Sequence, residues 1–261
     1  MKLSGLFTKT KPAASTAGPR RPPEAPPGVR IYAIGDIHGQ LELLDKLHAA
    51  IEEDTREGGA LQRMLVYLGD YVDRGLQSRE VISRLLEGPL PGFRAVHLKG
   101  NHEQAVLDFL EDPSIGMQWA GFGGLETLYS YGITDAPTLS KPDQFFKAAD
   151  LFFERLPADH LRFFKGLPTS LTLGDYYFCH AGVKPGVPLE RQSEDDLLWI
   201  REEFLDSPAD FGKVVVHGHT PEPEPVLKPN RIGVDTGAYM TGVLTCVVLE
   251  GTQARFLQAA H

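Results

Sequence analysis

The chain reads as an α/β protein, a layered sandwich on a partly parallel sheet with a helical cap insertion. Three observations predict it. Short apolar, β-prone runs at residues 29–34, 64–68 and 93–98 alternate with segments of helical periodicity. Each of these runs ends in a glycine-flanked or glycine-led loop that carries ionisable side chains. A helix-rich stretch then gives way to a second series of short β-prone runs.

The elements follow in order. Residues 30–34 are apolar and Gly35 ends them, after which Leu41, Leu44, Leu47 and Ile51 recur at spacings of three and four. That is one face of an amphipathic helix, expected to close near Gly58-Gly59. A second strand is predicted over 64–68, and a short helix through Val81, Ile82, Leu85 and Leu86, stopped by Gly88-Pro89. The third strand, 93–98, runs into Gly100-Asn101-His102-Glu103. Residues 104–167 are helical in pattern and are expected to form a cap beside the crevice, not a separate domain. Within them, the aromatic stretch 119–131 fits cap packing better than a base-stacking platform, because Leu125, Leu128 and Tyr129 share a helical spacing. Strands are expected at 170–173 and 176–179, joined by a Gly174-Asp175 turn, and again at 214–216, 232–234, 243–249 and 254–257. A helix is expected over 197–204.

Composition narrows the function classes. With 261 residues and 42% hydrophobic, the chain has material for one large core. A net charge of −9 argues against a general grip on nucleic acid. Two cysteines make no disulfide framework, which fits a reducing cytoplasmic setting, and no apolar run approaches the ~20 residues of a membrane span. Residues 1–28 are proline-rich and carry a net charge of +4, so they are expected to be a disordered basic leader to a domain at 29–261.

The loops carry the chemistry. Gly35-Asp36-Ile37-His38-Gly39 and Gly69-Asp70-Tyr71-Val72-Asp73-Arg74-Gly75 follow the first two strands. Loops at that edge of an open α/β sheet face the ligand crevice, so Asp36, His38 and Asp70 form a candidate divalent-metal nest. Later come His180-Ala181-Gly182 and His217-Gly218-His219-Thr220. Of nine histidines, five (His38, His102, His180, His217 and His219) lie at strand ends beside glycine or asparagine. A mixed Asp/His/Asn donor set suits Mn, Fe or Zn better than Ca, or Mg alone. His217 and His219 share a strand face, so spacing does not choose between them.

Taken in order, Asp36-x-His38, Gly69-Asp70-x-x-Asp73-Arg74-Gly75, Gly100-Asn101-His102-Glu103, His180-Ala181-Gly182 and Gly218-His219 resemble the motifs of calcineurin-like metallophosphoesterases. Asp73-Arg74-Gly75 and Leu198-Trp199-Ile200-Arg201 are similar to the phosphoprotein phosphatase branch, which includes bacterial symmetrical diadenosine tetraphosphatases. The resemblance implies two mixed sheets flanked by helices and two divalent ions, with Mn favoured. It implies Asp36 and His38 on the first ion, Asp70 bridging, and Asn101, His180 and His219 on the second, with a hydroxide held between them attacking phosphorus. It implies His102 as general acid oriented by Asp73, and Arg74 and Arg201 as phosphate clamps. His219 is then the expected ligand, and His217 a neighbour or packing residue. Asp235 resembles a position near the site and is expected either to hydrogen bond there or to serve a simple turn.

The activity so implied is phosphate monoester hydrolysis, with phosphorylated Ser/Thr proteins as favoured substrates. The alternative is symmetrical cleavage of diadenosine tetraphosphate or removal of such a cap from RNA. An inactive binding scaffold is the third reading, and no expected residue is missing to support it. The partner is thus a phosphorylated protein or small phosphorylated substrate, with neither stable nucleic-acid binding nor a membrane.

Overall fold

Strand β1 (Val29–Ile34) shows why the molecule has three layers. Its residues are buried alternately on two faces: Ile31 and Ala33 join one apolar cluster, Tyr32 and Ile34 another. A strand covered on both sides reads as a continuous apolar run, as this one does from Ile31 to Ile34. The computed structural model describes residues 21–56 and 61–261.

After β1 come α1 (Leu41–Asp54), β2 (Gln62–Tyr67), α2 (Ser78–Leu86) and β3 (Phe93–His97). The helical region holds α3 (Asn101–Glu111), α4 (Gly116–Ala120), α5 (Gly124–Ser130), α6 (Pro142–Arg155) and α7 (Ala158–Gly166). A hairpin, β4 (Ser170–Leu173) and β5 (Tyr176–Cys179), leads to α8 (Glu194–Trp199) and α9 (Glu202–Leu205). Then follow β6 (Val214–His217), β7 (Val226–Leu227), β8 (Arg231–Gly233), α10 (Ala238–Thr241), β9 (Val243–Glu250) and β10 (Gln253–Ala260).

These make two mixed five-stranded sheets, β10-β9-β1-β2-β3 and β4-β5-β6-β8-β7. Strands β1, β2 and β3 are mutually parallel, as are β5, β6 and β8. The sheets pack face to face through Ile31, Ala33, Val66, Phe178, Val216 and Val247. The outer face of the first sheet meets the α1 residues Leu43, Leu44, Leu47 and Ile51 and the helical region through Val106, Phe109 and Phe152. The outer face of the second meets Leu197 and Phe204 through Tyr177, Cys179 and Val215. Among the described residues, no helix is long and apolar enough to cross a membrane.

The predicted strands recur with ends that match or shift by at most three residues, and five details differ. Helix α1 ends at Asp54, short of Gly58-Gly59, which lie outside the described residues along with 1–20. The last eight residues of the expected leader, 21–28, are among those described. Ala25 is buried and donates to the Gly251 carbonyl at 2.8 Å, and Glu24 N–H donates to Asp175 at 3.0 Å, so residues 21–28 pack on the body. The helical region begins at Asn101, not 104. The helix expected over 197–204 is broken at Ile200 and Arg201, whose extended and irregular backbone separates α8 from α9. Strand β7, two residues long, is too short to leave a periodic signal.

Candidate binuclear metal centre

Six parallel strand ends deliver the site. Asp36 and His38 follow β1, Asp70 follows β2, and Asn101 and His102 open α3 just after β3. From the second sheet, His180 follows β5, His219 follows β6 and Asp235 follows β8. All eight are buried. Two glycines let the loops close on one another. A Cβ at Gly100 would lie 2.1 Å from Asp70 Oδ1, and one at Gly218 would lie 2.0 Å from Asp36 Oδ1.

Backbone strain concentrates here. Among the described residues, the non-glycine positions with positive φ are His38, Asp70, Asp73, Arg74 and His219, between 47° and 71°. Each such conformation costs about 1–3 kcal/mol and persists where surrounding structure fixes it. Glu103, fully buried, is one fixing element. Its carboxylate accepts N–H bonds from Gly100 at 2.9 Å, Asp70 at 2.8 Å and Tyr71 at 2.7 Å, tying the β2 loop to the start of α3.

Two donor clusters meet at Asp70. Ligand atoms of His38, Asp70 and His102 lie within 4.8 Å of one another, as do those of Asp70, His180 and His219. One Asp70 oxygen is 3.5 Å from His38 Nε2, and the other 3.3 Å from His180 Nε2. The tautomers are set from behind. His38 Nδ1 donates to the Val72 carbonyl at 2.8 Å and His180 Nδ1 to Leu68 at 2.9 Å, so each Nε2 faces inward. Burial holds His38 down to about 3 and His219 to about 2, so both imidazoles are neutral at ordinary pH, the form in which such a ring can hold a metal. Around His180 Nε2 stand Asn101 Oδ1 at 2.9 Å, His219 Nδ1 at 3.1 Å and Asp70 Oδ1. Burial opposes protonation of His180, but Asp70 outweighs it and draws the group upward.

Asp36 faces the same cavity from β1. Its carboxylate accepts the His219 N–H at 3.0 Å and shares a hydrogen bond with Asp235, and its pKa is pushed well up by burial, Asp235 and Asp70. Asp235 is raised too, chiefly by burial, and accepts the Gly237 N–H at 2.8 Å. Three buried carboxyls, three inward imidazole nitrogens and an amide oxygen call for positive charge among them. This donor set fits divalent cations of the Mn, Fe or Zn type.

Beside the clusters, Asp73 is fully buried. It accepts from His102 Nδ1 at 2.6 Å and Trp119 Nε1 at 2.8 Å on one oxygen, and from the Thr127 hydroxyl at 2.6 Å on the other. Burial pulls His102 down, but Asp70 and Asp73 outweigh it and lift it to about 9. Its Nε2 lies 3.5 Å from Arg74 Nη2. Arg74 also hydrogen bonds the Tyr239 hydroxyl and covers that ring at 4.4 Å, while its buried Nε has no partner among the described residues. Arg201 is exposed and donates to Thr220 Oγ1 at 3.3 Å, so the two guanidinium groups approach from the His102 side and the His219 side respectively.

A model of the calcineurin-like phosphoesterases matches residues 29–242. The chain belongs to this family. A bis(5'-nucleosyl)-tetraphosphatase PrpE [asymmetrical] of Bacillus thuringiensis is 27% identical over 232 residues, covering 82% of this chain and 88% of that protein. A crystal structure of a putative diadenosine tetraphosphatase superposes with a TM-score of 0.59 at 21% identity, covering 88% and 93% of the two chains. A serine/threonine phosphatase from Saccharomyces cerevisiae superposes at 0.50 with 16% identity, covering 90% and 81%.

Every predicted site residue thus reaches the centre or its rim. His217, expected as a neighbour or packing residue, has its Nε2 on Arg231 at 3.2 Å and its ring packed on Phe204. Of the two roles open to Asp235, the hydrogen bond to Asp36 is present. From sequence, Glu103 and Tyr239 have no assigned role, and Trp119 and Thr127 fall in a stretch expected only to pack the cap. Glu103 stands inside a quoted motif and was within reach, whereas the other three act through tertiary contacts that leave no local pattern.

Proposed function

We propose that the protein is a binuclear metal-dependent hydrolase that cleaves dinucleoside tetraphosphates. The observation that carries the chemistry is the His102–Asp73 pair beside Asp70, with Arg74 next to it. Asp36 and His38 would hold one ion, Asn101, His180 and His219 the other, and Asp70 both, since each of its oxygens faces a different cluster. When bound, such ions supply an activated water and neutralise phosphoryl charge.

The chain's own residues do the rest. Arg74 and Arg201 hold phosphoryl oxygens from two sides and orient phosphorus. His102, protonated at neutral pH, gives its Nε2 proton to the leaving oxygen as the bond to phosphorus breaks. Asp73 keeps the Nδ1 proton in place and stabilises the imidazolium. Trp119 and Thr127 add donors to both Asp73 oxygens, so that carboxylate is held in one orientation.

The tetraphosphate substrate is supported by relatives that bear that activity in their name and match along most of the chain. Phosphoserine and phosphothreonine proteins are the second reading, with which Asp73-Arg74-Gly75 and Arg201 in its Leu-Trp-Ile-Arg setting are as compatible as with the first. Rates with Mn on diadenosine tetraphosphate and on a phosphoserine peptide separate them. A preference for the peptide overturns the first reading, and the product ratio (two ADP, or AMP with ATP) reads out symmetrical or asymmetrical cleavage. His102→Asn should lose about 10²- to 10⁴-fold in kcat while retaining metal.

A further inference from the structure

Two large aromatic side chains stand half-exposed at the rim of the centre. Phe122, in the turn between α4 and α5, is 36% exposed, and Trp199, the last residue of α8, is 40% exposed. Their ring centroids are 6.4 Å apart with the planes inclined at 55°, so neither covers the face of the other. Phe122 lies 6.4 Å from the His102 ring, and Trp199 lies 6.3 Å from the His219 ring. The two rings therefore form one lip running from the proton donor to the second donor cluster.

Each ring is tied to a guanidinium. The Phe122 N–H donates to the Trp119 carbonyl at 2.9 Å, and the next residue, Gly123, accepts the Arg74 N–H at 3.1 Å. Trp199 precedes Arg201 by two residues, across the backbone break that ends α8. Forks for phosphoryl oxygens beside free aromatic faces match a ligand with an anionic chain and a flat, uncharged end. We propose that Phe122 and Trp199 are a stacking lip for a nucleobase of a nucleoside polyphosphate. This deepens the tetraphosphatase reading and rests on it. An aryl ester fits less well, because its ring hangs one oxygen from phosphorus and would fall at His102 itself. These rings stand a further ring-to-ring step outward, where a base carried beyond a ribose would lie.

The test measures binding without turnover. Titrate the full chain, loaded with Mn, with AMP, ribose 5-phosphate and phenyl phosphate in a calorimeter. AMP is expected to bind about tenfold or more tightly than ribose 5-phosphate. That preference should shrink to within about twofold in F122L/W199L and return in F122Y/W199F, with single variants intermediate and melting curves confirming the fold. Equal binding of AMP and ribose 5-phosphate overturns the proposal, as does a preference that survives in F122L/W199L. Phenyl phosphate binding as tightly as AMP overturns it in favour of an aryl site. A chain that prefers AMP yet leaves diadenosine tetraphosphate intact refutes the proposed function and keeps the lip. One that cleaves the tetraphosphate without a base preference does the reverse.

Discussion

The Thr127 hydroxyl donates to Asp73 at 2.6 Å, on the oxygen opposite the one that meets His102. A residue of α5 thereby fixes a carboxylate in the β2 loop, which would make the helical region part of the proposed proton-delivery apparatus. Thr127→Val should lower kcat by about tenfold, the cost of a lost charge-assisted bond, with KM changed less than twofold. Metal content should hold, and Thr127→Ser should rescue the rate. A purely structural role would lower the melting temperature without this split.

Asp70 faces both donor clusters, and its carboxylate supplies two anionic oxygens that an amide lacks. Asp70→Asn should cut the bound metal per chain, measured by elemental analysis after gel filtration, and reduce the rate by at least about 100-fold. Retention of both ions at wild-type affinity would contradict the bridging position.

Gly218→Ala puts a methyl group 2.0 Å from where Asp36 Oδ1 now lies. The carboxylate must turn away, and metal affinity should fall by about tenfold or more in a calorimetric titration. Gly166→Ala, at the end of α7 with open space around it, is the control and should leave that titration unchanged.

Acid should unfold the protein partly through histidines outside the donor clusters. Burial lowers His48 and His97 to about 4 each, against about 6.5 in an unfolded chain. Between those values the unfolded state binds more protons, so stability rises with pH across the window. It is fully present above about 6.5 and is lost as pH falls toward 4, by on the order of a few kcal/mol for the pair. Urea midpoints measured between pH 7 and 4.5 should track this fall. His97→Phe, which keeps a ring against Tyr67, should flatten the slope.

Most of the fold was legible because its central strands are covered on both faces and its helices on one. The runs at Val29 and Phe93 and the spacing from Leu41 to Ile51 carry those signatures directly. The centre was legible because strand-end loops hold its polar residues next to glycine, as at Gly69-Asp70 and Gly218-His219. What escaped depends on pairing at a distance. Nothing near Thr127 or Trp119 marks them as partners of Asp73, and nothing near Phe122 marks its approach to Trp199. The break between α8 and α9 was hidden for a similar reason: residues 197–204 have helical character throughout, and only in three dimensions does Arg201 turn toward Thr220.

The left-handed backbone at His38, Asp70, Asp73, Arg74 and His219 has an evolutionary consequence. Glycine at any of these positions would relax the main chain, so drift under selection for stability alone would erase the centre one residue at a time. A sequence that retains a side chain at all five carries a standing thermodynamic handicap. Cation binding is the natural counterweight, and the loaded protein should be the form in which that handicap is offset.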